Sequence, residues 1–412
     1  MSDPPVLHLF DAVGVEIEYM IVDRERFAVR PVSDELLRAV AGERVSDWDA
    51  GDICWSNELV LHVIELKTNG PARDLVEAAR SFQREVREIG ARLRDTLGAR
   101  LMPTAMHPLM DPLAETRLWP HEHGPIYAAF DRVFGCRGHG WSNLQSVHIN
   151  LPFHGDEEFG RLHAAIRLVL PLLPALAASS PFVEGRATGL LDNRMEFYRK
   201  NCARFPSVTG EVVPEPVFTR HGYEREILAR MYDDVAPHDP EGVLREEFLN
   251  ARGAIARFDR SAIEIRVIDV GESPRADLAI VAAVVALVRG LVEERWSSLA
   301  EQKAQPVEPL AASFRSALRE GERTPVASSY ARLFGAEGAT TIGGIWRRVI
   351  DRMFERDEIE SEPFEEPLRL VLEAGPLARR LVAAVGGTPD ARRIGAVYAR
   401  LCDVLEAGEL FR

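Results

Sequence analysis

Alternating apolar and polar positions predict four β-strands in the first two-thirds of the chain. The predicted strands cover residues 13–22, 59–67, 145–153 and 262–270. Each segment is rich in β-branched residues and carries polar residues at alternate positions, which is the period of a strand with one buried face. The polar residues of the four strands are therefore expected to share one face of a sheet.

Helical patterns separate these strands and dominate the last third of the chain. The longer ones cover residues 71–97, 159–177, 223–232 and 276–296, and Thr388-Pro389-Asp390 supplies a cap and a proline for another at 391–405. The strands are not joined by the regular short crossover helices of a doubly wound fold. We therefore predict an α+β fold, with a mainly antiparallel, curved sheet that has helices on one face and polar residues open on the other.

The chain is predicted to divide into two regions. Residues 1–300 carry the strands, and residues 301–412 form a helical C-terminal region packed on them. The predicted join is at residues 302–309, which include Pro306 and Pro309. The C-terminal helices are expected either to close over a cleft or to form the subunit interface of a homo-oligomer.

Two carboxylates in the first strand give the strongest chemical signal. In Gly14-Val15-Glu16-Ile17-Glu18-Tyr19, the two glutamates leave one face while Val15, Ile17 and Tyr19 leave the other. Two unpaired carboxylates in a partly buried sheet would cost several kcal/mol each, so a cation is expected between them. Oxygen ligands favour a hard divalent ion such as Mg²⁺, which commonly accompanies a phosphate substrate.

The other predicted strands add polar side chains to the same face. These side chains are Glu65 and Lys67 in the second strand, Ser146, His148 and Asn150 in the third, and Glu264 and Arg266 in the fourth. Taken alone, Glu264 and Arg266 are equally well explained as an ion pair on a solvated sheet. Polar residues on one face of four strands instead indicate the floor of a cleft.

Composition narrows the classes of partner. The 412 residues carry a formal net charge of −14, which argues against nucleic acid or an anionic membrane surface and favours small molecules. The four cysteines lack the spacing of a zinc or redox motif, which fits a reducing cytoplasm. The N-terminus lacks the basic region and the following apolar core of a signal peptide. The longest apolar run, residues 278–288, is too short to span a bilayer.

Five motifs together resemble a known family. They are Gly14 to Tyr19, Val63 to Pro71, Ser146 to Asn150, Ala178 to Phe182 with Thr188-Gly189 and Arg194, and Ile263 to Asp269. Their order and rough spacing resemble those of the family-2 glutamate-cysteine ligases, which include carboxylate-amine ligases and are related in fold to glutamine synthetase. The resemblance runs from about residue 10 to 280 and implies that residues 1–300 form a glutamine synthetase-like catalytic domain.

The resemblance implies an ADP-forming C–N ligase that uses ATP and Mg²⁺ or Mn²⁺. A substrate carboxylate would attack the γ-phosphate of ATP, and an amine would then displace phosphate to leave an amide, such as a γ-glutamyl compound. Catalysis of phosphoryl transfer consists mostly of positioning and charge neutralisation, which suits strands rich in glutamate. The expected partners are therefore a small carboxylate, such as an amino acid, and a small amine.

The resemblance also assigns roles to residues. The implied metal ligands are Glu16, Glu18, Glu58, Glu65, His148 and Glu264, and Arg266 would stabilise charge on the transferring phosphoryl group. Glu58 lies seven residues before Glu65, so strict alternation places it on the opposite face unless a turn or bulge intervenes.

Three further residues are candidate substrate ligands. Arg194 would bind a carboxylate or phosphate, and the alternative for it is a salt bridge at a helix end. Asn150 and Gln145 would hydrogen-bond to substrate or nucleotide, although alternation turns Gln145 away from His148.

Two other functions remain open at this point. A guanidino-type phosphotransferase shares the sheet architecture and the ATP chemistry, but no cysteine lies on the motif strands to serve its acceptor pocket. A non-catalytic protein that binds nucleotide or metal would be expected to have a broken ligand set. ADP formation that requires both a carboxylate and an amine distinguishes the ligase from both alternatives.

Overall fold

One antiparallel sheet organises the computed structural model, which describes residues 6–412. Within that range its strands are β1 (Gly14–Asp23), β2 (Asp47–Asp49), β3 (Ile53–Asn57), β4 (Val63–Thr68), β5 (Ala99–Met102), β6 (Ser146–Pro152), β9 (Ala254–Arg257) and β10 (Ala262–Asp269). The spatial order is β2-β3-β4-β1-β6-β10-β9, and β5 pairs with the C-terminal part of β1. A separate hairpin joins β7 (Phe182–Val183) and β8 (Arg186–Ala187).

The four strands predicted from sequence are β1, β4, β6 and β10. The prediction for β4 is wrong at its start, because Leu61 and His62 form a turn and the strand begins at Val63. The shorter strands β2, β3, β5 and β9 were missed, since three to five residues are too few to show a clear period. The mainly antiparallel α+β class is confirmed.

The α-helices in the first part of the described chain are α1 (Ser33–Ala41), α2 (Leu75–Arg92), α3 (Pro112–Glu115), α4 (Gly124–Phe134), α5 (His139–Ser142), α6 (Gly155–Val169), α7 (Pro174–Ala177), α8 (Asn193–Asn201), α9 (Pro206–Thr209), α10 (Arg220–Tyr223), α11 (Ala229–Val235) and α12 (Pro274–Val292). Those that follow are α13 (Leu299–Lys303), α14 (Val307–Glu320), α15 (Ser328–Arg332), α16 (Ile342–Glu355), α17 (Ser361–Ala374), α18 (Leu377–Val385) and α19 (Ala391–Ala407). None of the helices within residues 6–412 combines the length and the apolar character that crossing a membrane requires.

The apolar face of the sheet packs on helices. Val15, Ile17 and Tyr19 of β1 are fully buried in a cluster that includes Phe82 of α2 and Leu278 of α12. At the start of α2 the Asp74 side chain accepts hydrogen bonds from two backbone N–H groups that have no partner within the helix. Burial of this face turns the glutamates of β1 towards the opposite side of the sheet.

Helices beyond residue 300 complete the same core. One hydrophobic cluster joins the sheet to Trp346 and Phe364, and a second joins Met20 of β1 to Leu381 and Tyr398. Within the described residues the C-terminal helices thus bury apolar surface of the sheet region. The boundary at residue 300 itself stays a prediction.

Candidate active site

Strand register brings the predicted acidic residues together on the polar face. Glu16 of β1 lies opposite His148 of β6 on one side, and Glu18 lies opposite Glu65 of β4 on the other. In the next pair of strands, Glu264 of β10 lies opposite Asn150 of β6. Opposite residues of antiparallel strands are neighbours, so four strands contribute to one cluster.

His148 lies at the centre of this cluster. Its Nδ1 atom is 2.9 Å from Glu16 Oε2 and 3.7 Å from Glu264 Oε1. Its Nε2 atom is 2.9 Å from Ser146 Oγ and 3.9 Å from Glu18 Oε1. The two ring nitrogens therefore face two different groups of oxygen atoms.

The donor atoms fit divalent cations. Glu16, His148 and Glu264 can each offer one ligand atom within 4.8 Å of the others, and so can Glu18, Glu65 and His148. Carboxylate oxygens with a single imidazole suit Mg²⁺ or Mn²⁺ better than a thiophilic metal.

The raised pKa values of His148 and Glu65 show that the cluster favours bound positive charge. Burial lowers the pKa of His148, but the hydrogen bond that His148 donates to Glu16 and the charges of Glu18 and Glu264 outweigh it and raise the pKa to about 9. Burial and the charge of Glu16 raise the pKa of Glu65 to about 8. Without metal ions, the cluster thus retains protons that a bound cation would displace.

Glu58 joins the cluster through the turn that follows β3. It lies between β3, which ends at Asn57, and the turn that precedes β4, so strand alternation does not apply to it. Burial and the charges of Glu18 and Glu65 raise its pKa well above the ordinary value. The intervening turn required by the sequence prediction is present, and the role of Glu58 as a metal ligand stays a prediction.

Arginines border the cluster at β10 and β9. Arg266 Nε is 2.9 Å from Glu264 Oε1, and Arg266 Nη1 donates to the Asn250 carbonyl at 3.3 Å. Arg257 Nη1 of β9 is 3.5 Å from the other oxygen of Glu264. Glu264 therefore lies between two guanidinium groups as well as beside His148.

Asn150 supports the acidic cluster at the edge of a cleft. Its Nδ2 atom donates to Glu16 Oε1 at 3.0 Å. A cleft of about 280 Å³ begins here, and its lining includes Gly14, Lys67, Arg260, Glu16 and Asn150. A Cβ on Gly14 would lie 3.0 Å from the Asn150 Cβ, so glycine at this position leaves room for the amide side chain.

Arg194 and Gln145 lie outside the acidic cluster. Arg194 is buried and its Nε donates to Asp269 Oδ1 at 2.5 Å, while Nη1 donates to the Arg266 carbonyl at 3.1 Å. This arrangement corresponds to the alternative of a salt bridge at a helix end. The Gln145 side chain is buried, and its polar atoms have no hydrogen-bond partner in the described part of the chain. Their substrate-binding roles stay predictions.

Sequence reasoning missed three polar neighbours of the cluster. Ser56 Oγ donates to Glu65 Oε2 at 2.5 Å, and the Tyr127 hydroxyl accepts from Asn57 Nδ2 at 3.1 Å. Arg257 was the third. Ser56 and Arg257 lie on β3 and β9, two strands that were not predicted. The alternation of apolar and polar residues therefore could not be used to assign them to the polar face.

Comparison with known proteins agrees with the family resemblance of the five sequence motifs. A sequence model described as glutamate-cysteine ligase family 2 matches residues 12–400. An uncharacterised protein of Archaeoglobus fulgidus is 36% identical over 309 residues, which cover 75% of this chain and 80% of that protein.

Two solved structures share the fold. A bifunctional glutathione synthetase from Pasteurella multocida aligns with a TM-score of 0.62 at 15% identity, over 97% of this chain and 53% of that one. A glutamate–cysteine ligase from Francisella tularensis, solved in complex with AMP, aligns with a TM-score of 0.55 at 13% identity, over 98% of this chain and 94% of that one. The present chain thus spans about half of the glutathione synthetase. At these identities the likeness concerns the fold alone.

Proposed function

Because this chain belongs to glutamate-cysteine ligase family 2, we propose that it is an ATP-dependent C–N ligase. In this reaction the carboxylate of one small molecule attacks the γ-phosphate of ATP and releases ADP. The amine of a second molecule then attacks the acyl carbon and releases phosphate, which leaves an amide. A γ-glutamyl amide is the product class that the family name suggests.

The observation that carries the proposal is the convergence of carboxylates and one histidine from four strands. On the polar face Glu16, His148 and Glu264 form one candidate ligand set, and Glu18, Glu65 and His148 form a second that shares the histidine. Mg²⁺ or Mn²⁺ ions held there would neutralise the phosphate oxygens of ATP and support phosphoryl transfer. A cluster that served only as a solvated face would not bury Glu18, Glu65 and Glu264 together.

The protein's own residues supply the remaining functions. Arg266 lies against Glu264 and can stabilise the negative charge on the phosphoryl group, because a guanidinium stays charged and donates in two directions. Asn150 orients Glu16 by hydrogen bonding. Burial of the cluster limits the access of water, which would otherwise hydrolyse the acyl phosphate before the amine arrives.

The substrates proposed are an amino acid or similar carboxylate and a small amine, and the compartment proposed is the cytoplasm. The net charge of −14 disfavours polyanionic partners, and the four cysteines are all free thiols.

A screen for amide formation tests the proposal. The protein is incubated with ATP, Mg²⁺ and pairs of carboxylates and amines, phosphate release is measured, and positive reactions are examined by mass spectrometry. We expect phosphate release that requires both substrates, with a product mass equal to their sum minus water. Transfer of phosphate to a guanidine acceptor, without release of free phosphate, would instead support the phosphotransferase.

A further inference from the structure

Arg257 is held at the edge of the acidic cluster by residues outside it. Its Nε and Nη2 atoms donate to the two carboxylate oxygens of Asp259 at 3.2 and 3.1 Å. Glu247 Oε2 lies 3.7 Å from Nε on the same side. Two parallel hydrogen bonds to one carboxylate fix the plane of a guanidinium, so the direction of the remaining nitrogen, Nη1, is also fixed.

The hairpin between β9 and β10 points this remaining nitrogen into the site. Arg257 pairs with Ala262, and Ile255 pairs with Glu264, so Arg257 lies diagonally across from Glu264 on the polar face. Nη1 approaches Glu264 Oε2 at 3.5 Å, a distance too long for a strong hydrogen bond. The Arg257 side chain is only 13% exposed, so few water molecules reach its donors.

Glu264 already has a closer partner for its charge. Arg266 Nε is 2.9 Å from Oε1, and His148 Nδ1 is 3.7 Å from the same atom. A second arginine that served only to neutralise Glu264 would compete with a metal ion for that carboxylate. Asp259 occupies only Nε and Nη2 of Arg257. Once a metal ion takes up the charge of Glu264, Nη1 is therefore a donor without an acceptor in a poorly solvated place, which is costly unless another acceptor binds there.

We propose that Arg257 donates from Nη1 to a phosphate oxygen of the bound nucleotide, and that Asp259 positions it for this contact. The inference rests on the proposed function, because it assumes a nucleotide above the metal cluster. It adds a second cationic contact on the β9 side of Glu264, opposite Arg266. Charge-assisted hydrogen bonds of this kind are shorter and stronger than neutral ones.

The test separates metal binding from nucleotide binding. Mn²⁺ binding is measured by the loss of the free-ion electron paramagnetic resonance signal, and binding of the non-hydrolysable analogue AMP-PNP with Mg²⁺ is measured by calorimetry. Arg257→Gln is expected to weaken AMP-PNP binding on the order of 10- to 100-fold. Its affinity for Mn²⁺ alone should stay the same or increase, because a competing cation has been removed from Glu264.

Two further variants and a control sharpen the result. Asp259→Asn keeps Arg257 but weakens the contact that holds its guanidinium in place. Because the Asp259 side chain is 51% exposed, the fold should tolerate the change. We expect a smaller loss of AMP-PNP affinity than in Arg257→Gln. Arg257→Lys keeps the charge without the fixed fork and serves if the glutamine variant does not fold. Arg225→Gln, at a side chain that is 64% exposed and paired with Glu226, should leave both affinities unchanged.

The outcomes are distinct for the two proposals. If Mn²⁺ and AMP-PNP affinities fall together in Arg257→Gln or Arg257→Lys, the arginine only braces Glu264 and the inference is overturned. Unchanged AMP-PNP affinity overturns it as well, even where the wild-type protein forms an amide. A wild-type protein that binds no nucleotide would overturn both this inference and the ligase function.

Discussion

Replacement of Glu16 by glutamine tests the metal cluster most directly. The carboxylate accepts from Asn150 at one oxygen and lies 2.9 Å from His148 Nδ1 at the other. Glutamine has nearly the same shape and can keep one of these contacts, but it removes one negative charge from the cluster. At a separation of about 4 Å and an effective dielectric constant of about 20, that charge is worth about 4 kcal/mol per unit of cation charge.

A loss of this size lowers metal affinity by about a thousandfold or more. We therefore expect Glu16→Gln to abolish ATP-dependent amide formation at millimolar Mg²⁺, with a folded protein by circular dichroism and thermal melting. The assay is phosphate release with a productive substrate pair, repeated at increasing Mg²⁺ or Mn²⁺. The matched control is Glu25→Gln, at an exposed glutamate in the turn that follows the same strand. Wild-type rates in Glu16→Gln at low Mg²⁺ would refute the assignment of this carboxylate as a metal ligand.

Three further perturbations test other parts of the site. Arg266→Lys should lower kcat by about tenfold or more although the charge is kept, because lysine lacks the planar fork; near-normal rates would mean that Arg266 only braces Glu264. Metal-free protein should lose stability as the pH rises from about 6.5 to about 9, measured by thermal melting in a chelator, and excess Mg²⁺ should reduce this slope. Asp269→Asn should lower the free energy of unfolding by about 3 to 5 kcal/mol in a denaturant titration, because it leaves the buried charge of Arg194 without its partner. A loss below about 1 kcal/mol would show that this pair is not critical for the fold.

The sign of the pH effect follows from the two raised pKa values. His148 keeps its proton in the folded state up to about pH 9 but in the unfolded state only up to about 6.5, so stability that is present below pH 6.5 is lost as the pH rises through 9. The shift corresponds to about 3 kcal/mol. Glu65 acts in the same direction, since its folded-state pKa of about 8 exceeds the ordinary 4.5 and its ionisation in the fold is unfavourable. A melting temperature that stays flat or rises over this range in the chelator would contradict the charge balance of the cluster.

Regular alternation is what made the polar face predictable. On either side of Glu16, His148 and Glu264 the neighbouring residues are apolar and buried, so the face of these three side chains follows from the period alone. The neighbours are Val15 and Ile17 in β1, Val147 and Ile149 in β6, and Ile263 and Ile265 in β10. Their register against one another is not visible in the sequence, because it depends on which strands become neighbours. The family resemblance supplied only the expectation that these residues share a metal site.

The polar neighbours that sequence reasoning missed lie where the period is too short to be recognised. Arg257 occupies a strand of only four residues, Ala254–Arg257, and Ser56 a strand of five, Ile53–Asn57. Glu58 was expected only through the family resemblance, because it lies in the segment between β3 and β4, where alternation does not apply. Arg194 shows the opposite limit. The resemblance implied a ligand role for this arginine, and the sequence could not show that Asp269, 75 residues later in the chain, is its ion-pair partner.

The central position of His148 has a consequence for how ions enter the site. Both ligand sets need this one imidazole, yet a neutral ring has only one lone pair free to coordinate a metal. With one ion in each proposed set, the first ion to bind would determine which nitrogen keeps its hydrogen, and the second ion would rely on carboxylates. Occupancy should consequently proceed in two unequal steps, and ion stoichiometry would depend on the concentration of free cation.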